Sequence, residues 1–165
     1  MNLQENKTNI IKYIDLFCGM GSFHYSFQKL GFKCVMASDI YKPAKETYKK
    51  NYNIDVLGDI CDINPLSLES YDILCAGFPC QPFSQAGHHK GFKDSRGTMF
   101  SQVMRFVKTN IPKIVILENV QALLNHDKGK SFEKIKKDLE KEGYIVVYKV
   151  LKCSDYGIPQ MRKRL

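Results

Sequence analysis

The chain has 165 residues, 44% of them hydrophobic, and carries 25 Lys and Arg against 17 Asp and Glu, a formal net charge of +8. That length suits one domain with a real core and leaves little room for a second, and no apolar run approaches the length needed to cross a membrane. The basic balance favours polyanionic partners such as nucleic acid, while the six cysteines (Cys18, Cys34, Cys61, Cys75, Cys80 and Cys153) form no CxxC pair, which argues against a structural zinc site and for free thiols in a reducing cytoplasm.

Residues Met1–Asn9 are polar and read as a frayed start. Ile10–Phe17 is β-branched and apolar and runs into a glycine cluster, the pattern of a buried strand. Ser22–Leu30 places Phe23, Phe27 and Leu30 on one face, an amphipathic helix closed by Gly31. Phe32–Ser38 predicts a second strand, Pro43–Asn51 a helix with proline in its first turn, and Ile54–Leu57 a short third strand. Tyr71–Ala76 predicts a fourth strand. The stretch Gly77–Gly97 follows, rich in Gly, Pro, Ser and His and without periodicity; a loop of that length inside a compact domain usually serves a function. Thr98–Asn110 predicts a helix and Lys113–Leu117 a fifth strand ending at Glu118. Phe132–Gly143 predicts a solvated amphipathic helix with the stripe Phe132, Ile135 and Leu139, and Tyr144–Leu151 a sixth strand. The tail Tyr156–Leu165 is basic and irregular.

Strands alternating with helices imply an α/β domain spanning residues 1–165, with a mostly parallel sheet covered by helices on both faces. Ligands of such sheets bind at the carboxyl ends of the strands. Asp15–Gly21, Asp39, Asp59, Phe78–Cys80 and Glu118 fall there one after another. Glycines in Asp15-Leu16-Phe17-Cys18-Gly19-Met20-Gly21 allow a tight turn or a close ligand approach. A dinucleotide fingerprint would need a further glycine where His24 stands. Asp39 stands where ribose hydroxyls could donate to it, and Asp59 with Ile60 could read an adenine; S-adenosylmethionine fits such a site. Cys80 lies between two prolines at the start of the long loop, unlike Cys34 and Cys75, which sit in apolar strands and read as inert core thiols.

Gly77-Phe78-Pro79-Cys80-Gln81-Pro82-Phe83-Ser84 resembles the catalytic motif of cytosine-5 methyltransferases, and Asp15–Phe23 resembles their cofactor loop. Leu117-Glu118-Asn119-Val120 resembles their glutamate motif. Lys93–Phe100 resembles the segment after their mobile loop, and Tyr156–Arg164 their QxRxR motif. The five matches stand in the family's order over nearly the whole chain.

The resemblance implies a Rossmann-like methyltransferase fold and transfer of a methyl group from S-adenosylmethionine to C5 of a cytosine in double-stranded DNA. It assigns Cys80 as nucleophile, Glu118 as the group that holds the base edge, and Arg162 and Arg164 as arginines contacting base and phosphate. For the cofactor it implicates Phe17, Gly19, Gly21, Asp39, Asp59, Ile60, Phe78 and Met99. Gln81, Ser84, Lys90, Lys93, Arg96 and Gln160 fall to nucleic acid. The target base would be flipped out of the duplex, with Gln81–Gly97 closing over it. His88 and His89 read as loop residues rather than metal ligands, since no cysteine or carboxylate stands at ligand spacing; no metal is expected. A cytoplasmic, bacterial or phage-like setting follows from the same likeness.

Family members carry a variable target-recognition region and a final cofactor motif that residues 1–165 lack. A second polypeptide could supply them, or the chain could be an inactive remnant or a fragment, and low activity is expected of it alone. A transfer-RNA cytosine-5 methyltransferase and a non-catalytic binding module remain competing readings.

Overall fold

The structure, a computed structural model, describes residues 10–79 and 99–165. In chain order these form β1 (Lys12–Leu16), α1 (Ser22–Gln28), β2 (Lys33–Ser38), α2 (Lys42–Tyr52), β3 (Ile73–Ala76), α3 (Met99–Asn110), β4 (Ile114–Leu117), α4 (Lys130–Lys141), β5 (Leu151–Lys152) and β6 (Lys163–Arg164). Strands β1 to β4 make one parallel sheet in the order β2-β1-β3-β4. The short pair β5-β6 is antiparallel.

Alternation along the strands divides the core into two layers. Ile14 and Leu16 of β1 and Leu74 and Ala76 of β3 face α3 and α4, where Val103, Phe106, Ile135 and Leu139 are buried against them. Tyr13, Ile73 and Cys75 point to the opposite face, under Phe23 and Phe27 of α1. Beside them Ala37 of β2 and Tyr48 of α2 are fully buried. Helices therefore cover both faces, as the βα alternation implies. Proline in the first turn starts α2, and Asn53 in a left-handed conformation ends it.

Two expectations fail locally. Ile54–Leu57 is not a strand; only Leu57 reaches β2, through a single parallel bridge to Ser38. Beyond it the chain turns at Gly58 into a single 3₁₀ turn, Ile60–Asp62, whose first amides Asp59 caps. Tyr144–Val150 is not a strand either. Only Leu151–Lys152 pairs, with Lys163–Arg164 of the tail expected to be irregular. The apolar pattern is present, but among the described residues nothing lies alongside to accept its ladder bonds. The expected frayed start lies outside the described residues.

Candidate active site

The loop after β1 is wound tightly. Phe17, Gly19 and Gly21 all adopt positive φ (57°, 54° and 95°), so the turn uses three left-handed residues, of which one is an aromatic that adopts this region rarely. The two glycines answer to different demands. A Cβ on Gly21 would stand 2.3 Å from Cε2 of Tyr52, whose hydroxyl donates to the Gly21 carbonyl at 3.0 Å. A Cβ on Gly19 would meet nothing within 4 Å. Gly21 is required by packing beneath the loop, whereas Gly19 leaves the outer face open.

Asp39, at the end of β2, accepts from the Gly19 amide at 2.9 Å with Oδ2 and from the Tyr41 amide at 2.8 Å with Oδ1. It thus ties the glycine loop to the neighbouring strand end. His24, in place of a further glycine, is buried in α1, stacks on Tyr52 at 3.9 Å and shares a 2.7 Å hydrogen bond with the Tyr48 hydroxyl. An aromatic anchor occupies that position, and burial lowers the imidazole pKa.

Below the loop lies Asp15, fully buried, with neither carboxylate oxygen hydrogen-bonded. Desolvation, followed by the nearby negative charge of Asp39, raises its pKa to about 7. Burial likewise raises the thiol of Cys18, so Cys18 behaves as a core residue. Cys34 and Cys75 are raised by burial too.

Asp59 accepts from the Cys61 amide at 2.8 Å, and Ile60 beside it is buried. The Arg105 guanidinium, reaching from α3, donates to the Ile60 carbonyl at 2.6 Å and holds this loop against the helix. Phe78 is buried with its ring centroid 5.7 Å from that of Phe100. Met99, first in α3, is half-buried against the same cluster. Met20, in the glycine loop, is exposed.

Beyond β4, Glu118 and Arg164 come together although far apart in sequence: Arg164 Nε lies 2.8 Å from Glu118 Oε1. The other carboxylate oxygen would stand 3.3 Å from a Cβ on Gly77, so Glu118 packs on the backbone just ahead of Cys80. Asn119 completes the junction. Its side-chain amide donates to the Phe78 carbonyl at 2.9 Å, and its backbone exchanges two hydrogen bonds with Leu165. Sequence reading quoted Asn119 in a motif without giving it a role. Its position beside Glu118 was the available signal, whereas Arg105 had none beyond being a cation in an apolar helix. Arg162 and Gln160 are exposed, and the Arg162 carbonyl accepts from the Cys153 amide at 2.9 Å.

Cys80, Gln81, Ser84, Lys90, Lys93 and Arg96 lie outside the described residues, as do His88 and His89. Among the described residues no group of three or more His, Cys, Asp and Glu could hold a metal ion, and no helix is long and apolar enough to cross a membrane.

Residues 11–165 match the family described as C-5 cytosine-specific DNA methylase. The Type II methyltransferase M.HhaI of Haemophilus parahaemolyticus is 40% identical over 165 residues, covering 100% of this chain and 50% of its own length. M.MspI of a Moraxella species is 46% identical over 154 residues, 93% of this chain and 37% of its own. The chain thus spans about half or less of the curated relatives it matches. Among solved structures, the Dnmt2 methyltransferase of S. pombe superposes with a TM-score of 0.77 at 25% identity, over 93% of this chain and 49% of that one. A putative DNA modification methyltransferase from an E. coli prophage gives 0.67 at 26% identity, over 93% and 44%. With the strand-end loops in their expected places and the match running from Ile11 to Leu165, the chain belongs to the C-5 cytosine-specific DNA methylase family.

Proposed function

We propose that this chain carries the methyl-transferring part of a DNA cytosine-5 methyltransferase. The observation that carries this reading is the junction of Glu118, Arg164 and Asn119 against Gly77–Phe78. It gathers one carboxylate and one guanidinium at the carboxyl end of β4, beside the backbone that leads into Cys80.

The loop geometry fits S-adenosylmethionine. The open face of Gly19 admits the close approach of a ligand, Asp39 holds the Gly19 amide and Gly21 supports the loop from behind, and the family's motifs assign Phe17, Asp59, Ile60, Phe78 and Met99 to the same ligand. When bound, the cofactor supplies an electrophilic methyl group and departs as the neutral thioether. The rest falls to the chain. Cys80 adds as thiolate to C6 of a cytosine turned out of the duplex. The C5–C6 electron pair moves to C5, and Glu118, oriented by Arg164, holds the N3 edge and the exocyclic amine where charge develops. C5 accepts the methyl group. A base then removes the C5 proton, the electron pair re-forms the C5–C6 double bond, and Cys80 is expelled. Arg162 and Gln160, with Gln81, Ser84, Lys90, Lys93 and Arg96, are assigned to DNA by their places in the family's motifs, cations among them serving to neutralise phosphate.

Trapping tests the proposal. The purified chain is incubated with S-adenosylmethionine and duplex DNA containing 5-fluorocytosine, with and without the half of M.HhaI that it does not match. Fluorine at C5 blocks the last elimination, so a covalent complex accumulates. The expected result is an adduct on DNA that requires Cys80, disappears in Cys80→Ala and grows when the complement is added. An adduct that survives Cys80→Ala, one confined to RNA, or none under either condition overturns the reading.

A further inference from the structure

We infer that Arg105 is a positioning residue for the adenine end of the cofactor: from α3 it fixes the turn that carries Asp59, so that the Asp59 carboxylate selects a purine with an amino group at its 6-position. This deepens the cofactor site proposed above and rests on it.

Left to itself the turn is a weak platform. Ile60–Asp62 is a 3₁₀ turn of 3 residues, and its own bonds are local. The Cys61 amide donates to Asp59 Oδ1 at 2.8 Å, the Asp62 amide to the Asp59 carbonyl at 3.0 Å, and the Ile63 amide to the Ile60 carbonyl at 3.4 Å. Bonds of this kind have poorer geometry than those of an α-helix. Ahead of the turn, Leu57 is tied to β2: its amide donates to Ala37 and its carbonyl accepts from Asp39. Gly58 separates that anchor from Asp59.

Arg105 supplies an anchor on the other side. Its Nη2 donates to the Ile60 carbonyl at 2.6 Å and to the Cys61 carbonyl at 3.4 Å, so one nitrogen of a cation holds two consecutive peptide planes. The helix behind it is set in the core: Val103, Phe106 and Val107 are buried, and Phe100 meets the Phe78 ring. Helix α3 thereby fixes the Asp59 turn relative to the strand end at Phe78. The arrangement is costly, because Arg105 Nε is buried and finds no acceptor among the described residues. An apolar side chain could fill the space without an orphan donor. What the guanidinium adds over packing is a direction imposed on the two carbonyls.

That direction matters for Asp59. Committing Oδ1 to the Cys61 amide fixes the plane of the carboxylate and still leaves it acceptor capacity. Adenine presents an N–H donor at its 6-position, whereas hypoxanthine, the same ring system with oxygen there, presents an acceptor. A fixed carboxylate accepts from the first and repels the second; one free to swing away discriminates little.

Titration calorimetry of the whole chain tests the assignment, with S-adenosylhomocysteine and its deaminated counterpart S-inosylhomocysteine as probes. The chain is expected to bind the adenosyl compound about a hundredfold more tightly than the inosyl one. Arg105→Met is expected to narrow that ratio by about tenfold, and Arg105→Lys, which keeps a cation on a flexible stem but loses the planar group, to fall between. An unfolded fraction weakens both compounds alike and leaves the ratio untouched. Without ligand, amide exchange at Cys61, whose N–H rests on Asp59, is expected to quicken about tenfold in Arg105→Met relative to the amides of β1. Binding of neither compound by the unaltered chain would overturn the cofactor site and the role of Arg105 with it. Adenosyl binding whose preference over inosyl survives in both variants makes Arg105 a structural tie and overturns its positioning role alone, as does unchanged exchange at Cys61.

Discussion

The sheet has a closed half and an open half. Strand β1 lies between β2 and β3 with helices above and below; Tyr13, Ile14, Asp15 and Leu16 are fully buried. Among the described residues the sheet stops at β4, where Ile114 is 50% exposed, and Tyr144–Val150 runs unpaired across a groove. The closed half holds the glycine loop and its buried aspartate, and the open half ends in the Glu118–Arg164 pair. The difference teaches that an apolar, β-branched segment becomes a strand only where a partner takes its backbone bonds; pattern sets which face is buried, pairing decides whether a strand exists.

The largest effect separates the two glycines inside the closed half. Gly21→Ala forces a methyl group against the Tyr52 ring at a backbone angle that alanine resists, and is expected to cost about 3–4 kcal/mol of stability by denaturant unfolding. Gly19→Ala shares the positive φ but meets no neighbour, so about 1 kcal/mol is expected. Equal losses would show that the loop is not packed from below as described.

Asp15 comes next, because its cost depends on pH. Its carboxyl titrates near 7 in the folded chain and near 4 unfolded. Between those values the folded state holds the proton more tightly, so stability is fully present below about pH 4 and falls as pH rises to about 7. Asp15→Asn is expected to flatten that slope and to stabilise the chain by a few kcal/mol at pH 8, checked by thermal unfolding across pH. A slope unchanged in Asp15→Asn would assign the dependence to another group.

How much of this was legible in the sequence follows the same division. The closed half was readable almost element by element, because Tyr13–Leu16, Met36–Ser38 and Ile73–Ala76 find their partners within the described residues. The strand-end acidic residues were legible as a cluster, since βα alternation dictates where strands end. The missing third strand was not, because only the chain's turn at Gly58 and the Asp59 cap stop Ile54–Leu57 from pairing further. The contact of Arg164 with Glu118 was not legible: motif resemblance gave each a separate role toward the base, and nothing in the spacing of a basic tail predicts which arginine folds back onto β4. The buried, unpartnered state of Asp15 depends on how α1 and α2 close over the sheet, which composition does not reveal.

Arg164→Ala is expected to lower stability by under about 1 kcal/mol, since Glu118 and Arg164 are 39% and 26% exposed and a solvent-screened pair contributes little. Adduct formation with fluorocytosine DNA is expected to fall far more. Equal losses of stability and trapping would make the pair a structural tie rather than an orienting one.

The smallest expected effect tests the open half most directly. Ile145→Lys with Val147→Lys places two charges where two large apolar side chains already face water, and should change stability by no more than about 0.5 kcal/mol. The matched change in the closed half, Ile14→Lys, buries an unpaired ammonium beside Leu74 and Val103 and is expected to prevent folding. Tyr144–Val150 is at least as rich in β-branched residues as β1, so propensity alone gives no reason for it to be the less sensitive segment. A loss of several kcal/mol in the Ile145, Val147 variant would mean that this segment is packed in solution and that the groove beside β4 is already filled.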